Sequence, residues 1–334
     1  MRRRCRLGYM LGLLAVAVAG AGGCTGPQSA LTPAGVEGAR VARLGIALYA
    51  GAAALLALVV SLTVGAIWGG PRMRTLLADQ RAIVTGGIGM PVIVLSALLT
   101  WGLGLMASVR SGEEPPAVRI EVVGERWWWR VTYRNRDGKL LATSANEIRL
   151  PQARPVELAL MSADVIHSFW VPSLAGKLDM IPGRINVMRV NASAIGEYRG
   201  QCAEYCGGPH ALMALWAVVL SPVEFETWLA REGRDAAAPS TPGDERGRRL
   251  FQSNGCGACH TIRGTPARGL IGPDLTHVGS RRTIAAGTLP ATTAAMAQWI
   301  RDSHRLKPEN RMLPYDFLSE NEALAIASHL QGLR

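Results

Sequence analysis

Charge is scarce in this 334-residue chain: 18% of its residues are Asp, Glu, Lys or Arg. That is below the share of about 25% usual in soluble domains, as expected where part of a chain sits in lipid. Basic residues still outnumber acidic ones, giving a net charge of +11. They are spread over every segment, however, and no Lys/Arg run is interleaved with aromatics beyond a few arginines near Trp127. This argues against a nucleic-acid partner. No internal repeat is present, so a solenoid is excluded. The long apolar runs contain no histidine, which leaves nothing in them to hold a haem. Cysteines number six. Cys5 and Cys24 fall in the leader; the rest form two close pairs, Cys202/Cys206 and Cys256/Cys259. Outside the cytoplasm the plain reading of such pairs is a disulfide. Each pair, however, is followed within a few residues by a histidine, His210 or His260, which favours cofactor chemistry.

The chain divides by composition. Residues 1–24 read as a secretory signal, with Arg2, Arg3, Arg4 and Arg6 before an apolar run from Leu7 to Ala21. Gly22-Gly23-Cys24 resembles a lipoprotein cleavage site, with Cys24 a candidate for lipidation, although Ala21 stands where a larger aliphatic residue is usual. Residues 25–43 form an extracytoplasmic segment. Residues 44–69 and 83–109 are uncharged and exceed the roughly 20 residues a membrane-spanning helix requires. The loop between them, 70–82, carries Arg72, Arg74 and Arg81 against Asp79 and is assigned to the cytoplasm. Everything after Val109 then lies outside. Residues 116–230 alternate short β-branched and aromatic runs with Pro- and Gly-containing turns, the pattern of an all-β sandwich or barrel. Expected strands include Arg119–Val123, Trp127–Tyr133, Glu147–Leu150, Val156–Met161 and Asn186–Val190. Residues 231–243 read as a linker, and 244–334 as an all-α domain with helices over 244–254, 292–302 and 320–330.

Chemistry concentrates in two stretches. Cys202-Ala-Glu204-Tyr-Cys206-Gly-Gly-Pro-His210-Ala-Leu-Met213 gathers thiol, imidazole and thioether within twelve residues. Such donors suit copper or zinc, and the thioether points to copper. Structural zinc takes Cys and His only, and hydrolytic zinc keeps a water. A further ligand is needed, and His167, just after an expected strand, is the candidate. The second stretch, Cys256-Gly-Ala-Cys259-His260, is a C-x-x-C-H haem-attachment sequence. Each thiol adds to a haem vinyl group and His260 becomes an axial ligand. A thioredoxin-like site would need a βαβ context, and a zinc site a second close pair; neither is present. Met312, in a loop before the last helix, is the candidate second axial ligand; Met296 lies within a helical pattern and reads as core. His277, His304 and His329 read as surface or structural. The arginines Arg246, Arg248, Arg249, Arg281, Arg282, Arg305 and Arg311 read as a solvated surface.

The run from Val165 through His167 to Pro172, then Lys177–Arg184, then the Cys loop, resembles subunit II of the haem–copper cytochrome c oxidases. Trp127-Trp128-Trp129 resembles that family's tryptophan-rich patch, and Gly272-Pro273 with Met312 resembles class I cytochromes c. The whole resembles a caa-type subunit II: two transmembrane helices, an all-β cupredoxin-like barrel and an all-α cytochrome c domain. The resemblance implies a dinuclear CuA centre in which Cys202 and Cys206 bridge two coppers, His167 and His210 bind one each, and Met213 and the Glu204 carbonyl complete the set. It implies that the Glu204 carboxylate faces the catalytic subunit and helps hold magnesium, and that Trp127 admits electrons. It implies a covalent haem c on Cys256 and Cys259, with His260 and Met312 on the iron. The expected function is electron entry into a terminal oxidase, from haem c to CuA to a catalytic subunit I that reduces O2. The expected partners are subunits I and III, the lipid bilayer and an upstream donor, a cytochrome c or a quinol:cytochrome c reductase complex. The expected location is a bacterial inner membrane, with both soluble domains on the periplasmic side. Pro209 and Ala214 depart from the pattern without removing a ligand, and Arg126, Arg130, Arg134 and Arg136 around the patch disfavour a positively charged partner there. The entry subunit of a copper-containing nitric oxide reductase would look much the same. A quinol oxidase subunit II would lack the copper ligands, and a membrane copper chaperone would lack the haem motif.

Overall fold

Residues 25–110 and 115–334 are described by a computed structural model; the leader and Cys24 lie outside the described residues. The described residues form two units, 39–110 on the one hand and 25–38 with 115–334 on the other.

The smaller unit is helical. Helix α1 (Val36–Trp68) begins eight residues before its apolar run, because Val36–Arg43 contains no breaker beyond Gly38 and places Glu37 in the first turn, where the helix dipole favours an acid. At 33 residues it is about 50 Å long, more than a bilayer core requires. After a short helix, α2 (Pro71–Leu77), a second apolar helix runs over Gln80–Ala107, built from α3 (Gln80–Val84) and α4 (Met90–Arg110). It contains a π-helical turn at Thr85–Gly89, where three glycines weaken the regular ladder. Neither apolar helix is buried within the protein.

The larger unit begins with the β-domain. Ten strands, β1 (Val118–Glu125), β2 (Trp128–Arg134), β3 (Leu140–Ala145), β4 (Glu147–Pro151), β5 (Pro155–Ser162), β6 (His167–Trp170), β7 (Leu178–Met180), β8 (Asn186–Asn191), β9 (Gly196–Cys202) and β10 (Ala214–Leu220), form two five-stranded sheets, in the orders β3-β2-β1-β5-β8 and β4-β10-β9-β6-β7, that enclose one core. In β1 (Val118–Glu125), Val118, Ile120 and Val122 point inward. The antiparallel partner β2 (Trp128–Arg134) buries Trp129, Val131 and Tyr133. A strand alternates its side chains between faces. Burying Trp129 therefore turns Trp128 outward, and the tryptophan triplet is divided by parity alone. The segment before α1 packs on this domain: Ala34 donates to the Ser173 carbonyl at 2.7 Å and Gly38 to that of Leu174 at 2.8 Å. A Cβ at Gly35 would lie 2.3 Å from the Leu174 oxygen, so only glycine permits that approach.

Several strands were not evident from sequence pattern. β10 (Ala214–Leu220) is buried on both faces and reads as an uninterrupted apolar run, which periodicity cannot distinguish from helix. β6 (His167–Trp170) and β7 (Leu178–Met180) are too short for a periodic signal. His167 therefore opens a strand of its own rather than trailing the strand before it. Helix α5 (Pro222–Glu232), held by a Ser221–Glu224 capping box, lays Phe225 and Trp228 against Tyr133, and Trp228 meets the Tyr133 ring edge-on at 5.0 Å.

Three helices build the C-terminal domain: α6 (Pro242–Ser253), α7 (Thr293–Leu306) and α8 (Glu320–Gly332). They share a core of Phe251, Ile262, Met296, Ile300 and Ile326. Gly247 sits where a Cβ would come within 2.1 Å of the Ala325 oxygen, which sets the close crossing of α6 and α8. The linker is partly fixed: Ala236 donates to the Arg263 carbonyl at 3.1 Å, and the Arg263 guanidinium donates to the carbonyls of Glu232 and Arg234. Arg281 is not a surface residue as expected. It is 8% exposed and donates to the Asp274 carbonyl at 2.5 Å, and burial pushes its pKa down.

The Tyr133 hydroxyl accepts from the Arg149 backbone N–H at 2.7 Å inside the barrel end. Tyr133→Phe leaves that donor unpaired and is expected to cost about 1–3 kcal/mol. Denaturant unfolding of the purified chain measures this loss, and an unchanged midpoint would show that the bond carries no net stability.

Candidate metal centre and haem-attachment cleft

Four segments deliver the donor set of the first stretch. His167 opens β6 and is fully buried. Cys202 ends β9 (Gly196–Cys202), and Cys206 follows in the loop. His210 lies in the 3-10 turn Gly208–Leu212, and Met213 stands between that turn and β10. The Cys202 and Cys206 sulfurs are 3.8 Å apart, and both thiols are free and buried. His167 Nδ1 lies 3.8 Å from the Cys202 sulfur, and His210 Nδ1 lies 3.4 Å from that of Cys206. Met213 Sδ is 3.8 Å from the Cys206 sulfur, and the Glu204 carbonyl is 3.2 Å from that of Cys202. All six residues singled out in the sequence thus converge. The Glu204 carboxylate points away from the thiols, toward Lys177 Nζ at 3.6 Å, and is half-exposed.

Two features of this site left little trace in the sequence. Asp164 accepts from His167 Nε2 at 2.9 Å and from the Arg126 backbone N–H at 2.8 Å. It thereby orients the imidazole with Nδ1 facing the thiols, the usual role of a carboxylate behind a metal-binding histidine. Its only signal is its place three residues before His167. Gly124 is the other: a Cβ there would come within 2.8 Å of the His167 ring, so the ring lies flat on β1 only because this residue is glycine.

Proton affinities follow from these contacts. The hydrogen bond with Cys206 and that with His167 outweigh burial and lower the Cys202 pKa, while the same thiol pairing and burial raise that of Cys206. A pair that shares one proton presents a ready thiolate. Burial works to depress His167, but Cys202 and Asp164 together raise it above its ordinary value. Burial works to raise Asp164, but His167 and two backbone donors lower it. Two sulfur types, two imidazoles and a carbonyl in a buried pocket make a soft donor set that fits copper.

The second stretch lines a cleft. Cys256, Cys259, His260 and Met312 border it together with Trp127 and Trp128 of the β-domain. His260 Nδ1 pairs with the Pro273 carbonyl at 2.8 Å, which leaves Nε2 free for a ligand bond, and burial lowers its pKa so that the nitrogen is unprotonated. A Cβ at Gly272 would strike the His260 ring at 2.5 Å. The Met312 backbone is pinned on both sides: its carbonyl accepts from Ser303 Oγ at 2.9 Å and its N–H donates to Asn310 Oδ1 at 2.9 Å. An apolar cleft with two thiols at one edge and an imidazole and a thioether on its walls fits a c-type haem. Met296 belongs to the helical core. His277 and His329 are buried and His304 is exposed.

Trp127 belongs to both places. Its indole Nε1 donates to the Cys206 carbonyl at 2.9 Å, and its ring borders the cleft. Trp128 also lines the cleft, with the Arg130 guanidinium 4.7 Å over its ring, whereas Trp129 is a core residue at 6.0 Å from Phe169. The arginines around the patch are paired: Arg126 with Asp164, Arg130 with Glu125 and Arg134 with Glu121.

The Asp164–His167 pair sets a pH window for the metal-free chain. The raised His167 pKa gives stability that is complete below about pH 6.5 and is lost as pH rises through the folded value. The lowered Asp164 pKa gives stability present above about pH 4 and lost as pH falls through the folded value. Unfolding of the metal-free chain is therefore expected to require most denaturant between these limits. Asp164→Asn should remove the acid limb and make the alkaline limb shallower, since Cys202 still raises His167. An Asp164→Asn profile that overlays the parent's would disprove the assignment.

Residues 133–220 match the family described as cytochrome C oxidase subunit II, periplasmic domain, and residues 245–334 match the cytochrome c family. Over 217 residues the chain is 35% identical to cytochrome c oxidase subunit 2 of Alkalihalophilus pseudofirmus, covering 65% of this chain and 61% of that protein. It is 29% identical over 228 residues to cytochrome c oxidase subunit 2 of Bacillus subtilis, covering 65% and 63%. The crystal structure of the periplasmic domain of cytochrome oxidase subunit II of Bradyrhizobium japonicum aligns at 28% identity over 36% of this chain and 95% of that one, with a TM-score of 0.33. The matched stretch spans about six-tenths of the length of these curated relatives. The chain thus carries, in one polypeptide, a region similar to the periplasmic domain of cytochrome c oxidase subunit II followed by a region similar to cytochrome c.

Proposed function

We propose that this chain is the electron-entry subunit of a caa-type haem–copper terminal oxidase, passing electrons from a bound haem c to a dinuclear CuA centre and on to a catalytic subunit I that reduces O2 to water with proton translocation. The observation that carries this reading is the double attachment of Trp127, hydrogen-bonded to the Cys206 carbonyl on one side and bordering the cleft of His260 and Met312 on the other. Haem c and CuA supply, when bound, the one-electron chemistry that side chains lack.

Cys202, Cys206, His167, His210, Met213 and the Glu204 carbonyl would hold the copper; the burial of His167, Cys202, Cys206 and Met213 keeps water from those donors. Asp164 holds the His167 tautomer. Cys256 and Cys259 would carry the haem, with His260 and Met312 as axial ligands. Met/His ligation favours a high potential, which suits a donor serving an oxidase. The half-exposed Glu204 carboxylate is the group to face subunit I and share a magnesium ion there. The apolar helices over Val36–Trp68 and Gln80–Ala107 would anchor the chain in a bacterial inner membrane, with both soluble domains on the periplasmic side. Subunits I and III and a cytochrome c or a quinol:cytochrome c reductase complex are the partners this role requires.

The test is made on the full chain, purified in detergent after expression with haem and copper. Two coppers and one haem iron per chain are expected; one copper or none ends the CuA assignment. Trp127→Phe, which removes the indole donor, should retain both counts yet slow the reoxidation of photoreduced haem at least about tenfold, a change of about 1.4 kcal/mol in barrier. An unchanged rate removes Trp127 from the path.

A further inference from the structure

The two residues that flank Met213 are both held by the C-terminal domain. On one side, the Leu212 carbonyl accepts from Lys307 Nζ at 2.8 Å and from Thr288 Oγ1 at 3.5 Å. On the other, the Ala214 backbone N–H donates to the Ala286 carbonyl at 2.9 Å. A Cβ on Gly287 would meet the Ala214 Cβ at 2.9 Å. Every backbone group in this contact is held in turn. Ala285, Ala286 and Gly287 all have positive φ, which is costly for residues with a Cβ and persists only where surroundings impose it. Thr288 Oγ1 closes this turn onto the Ala285 carbonyl at 2.8 Å. Lys307 is buried, and its three ammonium hydrogens meet three carbonyls, those of Trp127 at 2.7 Å, Leu212 at 2.8 Å and Ala285 at 3.1 Å. Two of these belong to the β-domain and one to the cytochrome domain. Lys307 itself precedes Met312 by five residues, in the loop that carries the second candidate haem ligand.

We infer that the cytochrome domain is a positioning element of the copper centre: Lys307 and the 285–288 turn grip the backbone on either side of Met213 and fix how far its thioether sits from the Cys206 sulfur. A weak thioether ligand is the one whose distance most tunes a copper–thiolate centre. The inference rests on the reading of Cys202–Met213 as a copper site. It adds that the placement of Met213 is set in part from outside the β-domain, although every candidate ligand lies within it. Lys307 acts through Leu212 and touches no ligand directly.

The experiment uses the full chain loaded with copper and haem. Lys307→Met removes the ammonium at nearly equal length. Gly287→Ala keeps Lys307 but crowds Ala214, so it perturbs the same grip without burying a new gap and serves where Lys307→Met fails to fold. Arg282→Ala breaks the ion pair with Glu197 at another point of the same domain contact and is the control. Haem content and thermal unfolding report folding. The expected result is an altered copper electron paramagnetic resonance spectrum in Lys307→Met and Gly287→Ala. Copper should also pass to a chelator about 10–100-fold faster, the range for residues that support a metal ligand from behind. Arg282→Ala should match the parent. If the parent holds two coppers and both variants keep its spectrum and release rate, the grip is overturned while the copper reading stands. An equal change in Arg282→Ala would also overturn it, since domain contact in general would then be the cause. A parent without two coppers overturns the copper reading and the grip with it.

Discussion

The hydrogen bond from the Trp127 indole to the Cys206 carbonyl is the constraint on which the larger unit depends. It fixes the loop between Cys202 and His210 against the start of β2, and thereby sets where the thiols lie relative to the cytochrome cleft. The bond is possible because strand parity commits Trp129 to the core, which turns Trp128 outward and leaves Trp127 at the strand entrance. Gly207 completes the fit: with φ +113° it brings the backbone to the Trp127 ring, where a Cβ would come within 3.0 Å. One side chain is therefore a structural part of both sites, and a change in the position of either is felt at the other.

Burying cations at a domain contact is normally unfavourable unless they are paired or hydrogen-bonded. The two halves of this contact resolve that in different ways. Near Trp127, burial pulls the Lys307 ammonium down to about 7, and three carbonyls rather than a carboxylate satisfy it. Carbonyl partners impose direction without adding a second charge to desolvate. At the other end, charge meets charge. Glu147 pairs with Arg149 at 2.8 Å and accepts from the Arg282 N–H at 3.0 Å, and the Arg282 guanidinium pairs with Glu197 and lies 5.0 Å over Trp216. The carbonyl-bound lysine stands beside Trp127 and Leu212, and the pairs of Glu147 and Glu197 stand at the other end of the contact, while Arg311 reaches Asp164 at 3.9 Å.

How far the sequence foretold this structure varies with the kind of information. Side-chain chemistry was legible: Cys202, Cys206, His210, Met213 and the distant His167 could be gathered by ligand type, and the fold places their donor atoms together. The C-x-x-C-H stretch and Met312 could be singled out in the same way, and they border one cleft. Strands with alternating burial, such as Val118–Glu125, could be read directly, whereas Ala214–Leu220 could not, because burial on both faces erases the period. What could not be read is support that arises only when distant segments meet. Asp164 has an ordinary turn context, Gly124 gives no sign that an imidazole will lie on it, and Lys307 and Arg281 look like surface cations in any local window. Each acquires its role from a neighbour more than one element away, or from the burial that such neighbours create.

The same observations change how the connection between the domains is understood. A flexible tether raises the effective concentration of a donor but leaves its orientation free. Residues 234–236 are instead tied to Arg263, and the contact is specified by directional bonds from Lys307, Arg130 and Arg282. Orientation and distance are thus set by the folded contact, and the covalent link chiefly guarantees that the right partner is present. A donor docked in this way gains nothing from repeated dissociation. The apolar side chains Leu270, Ile271, Leu313 and Phe317 are exposed on the C-terminal domain, with Ile271 and Leu313 among the lining of the cleft. Trp127 and Trp128 of the β-domain cover one side of the cleft, so the folded contact itself fixes which face of the C-terminal domain meets the candidate metal centre.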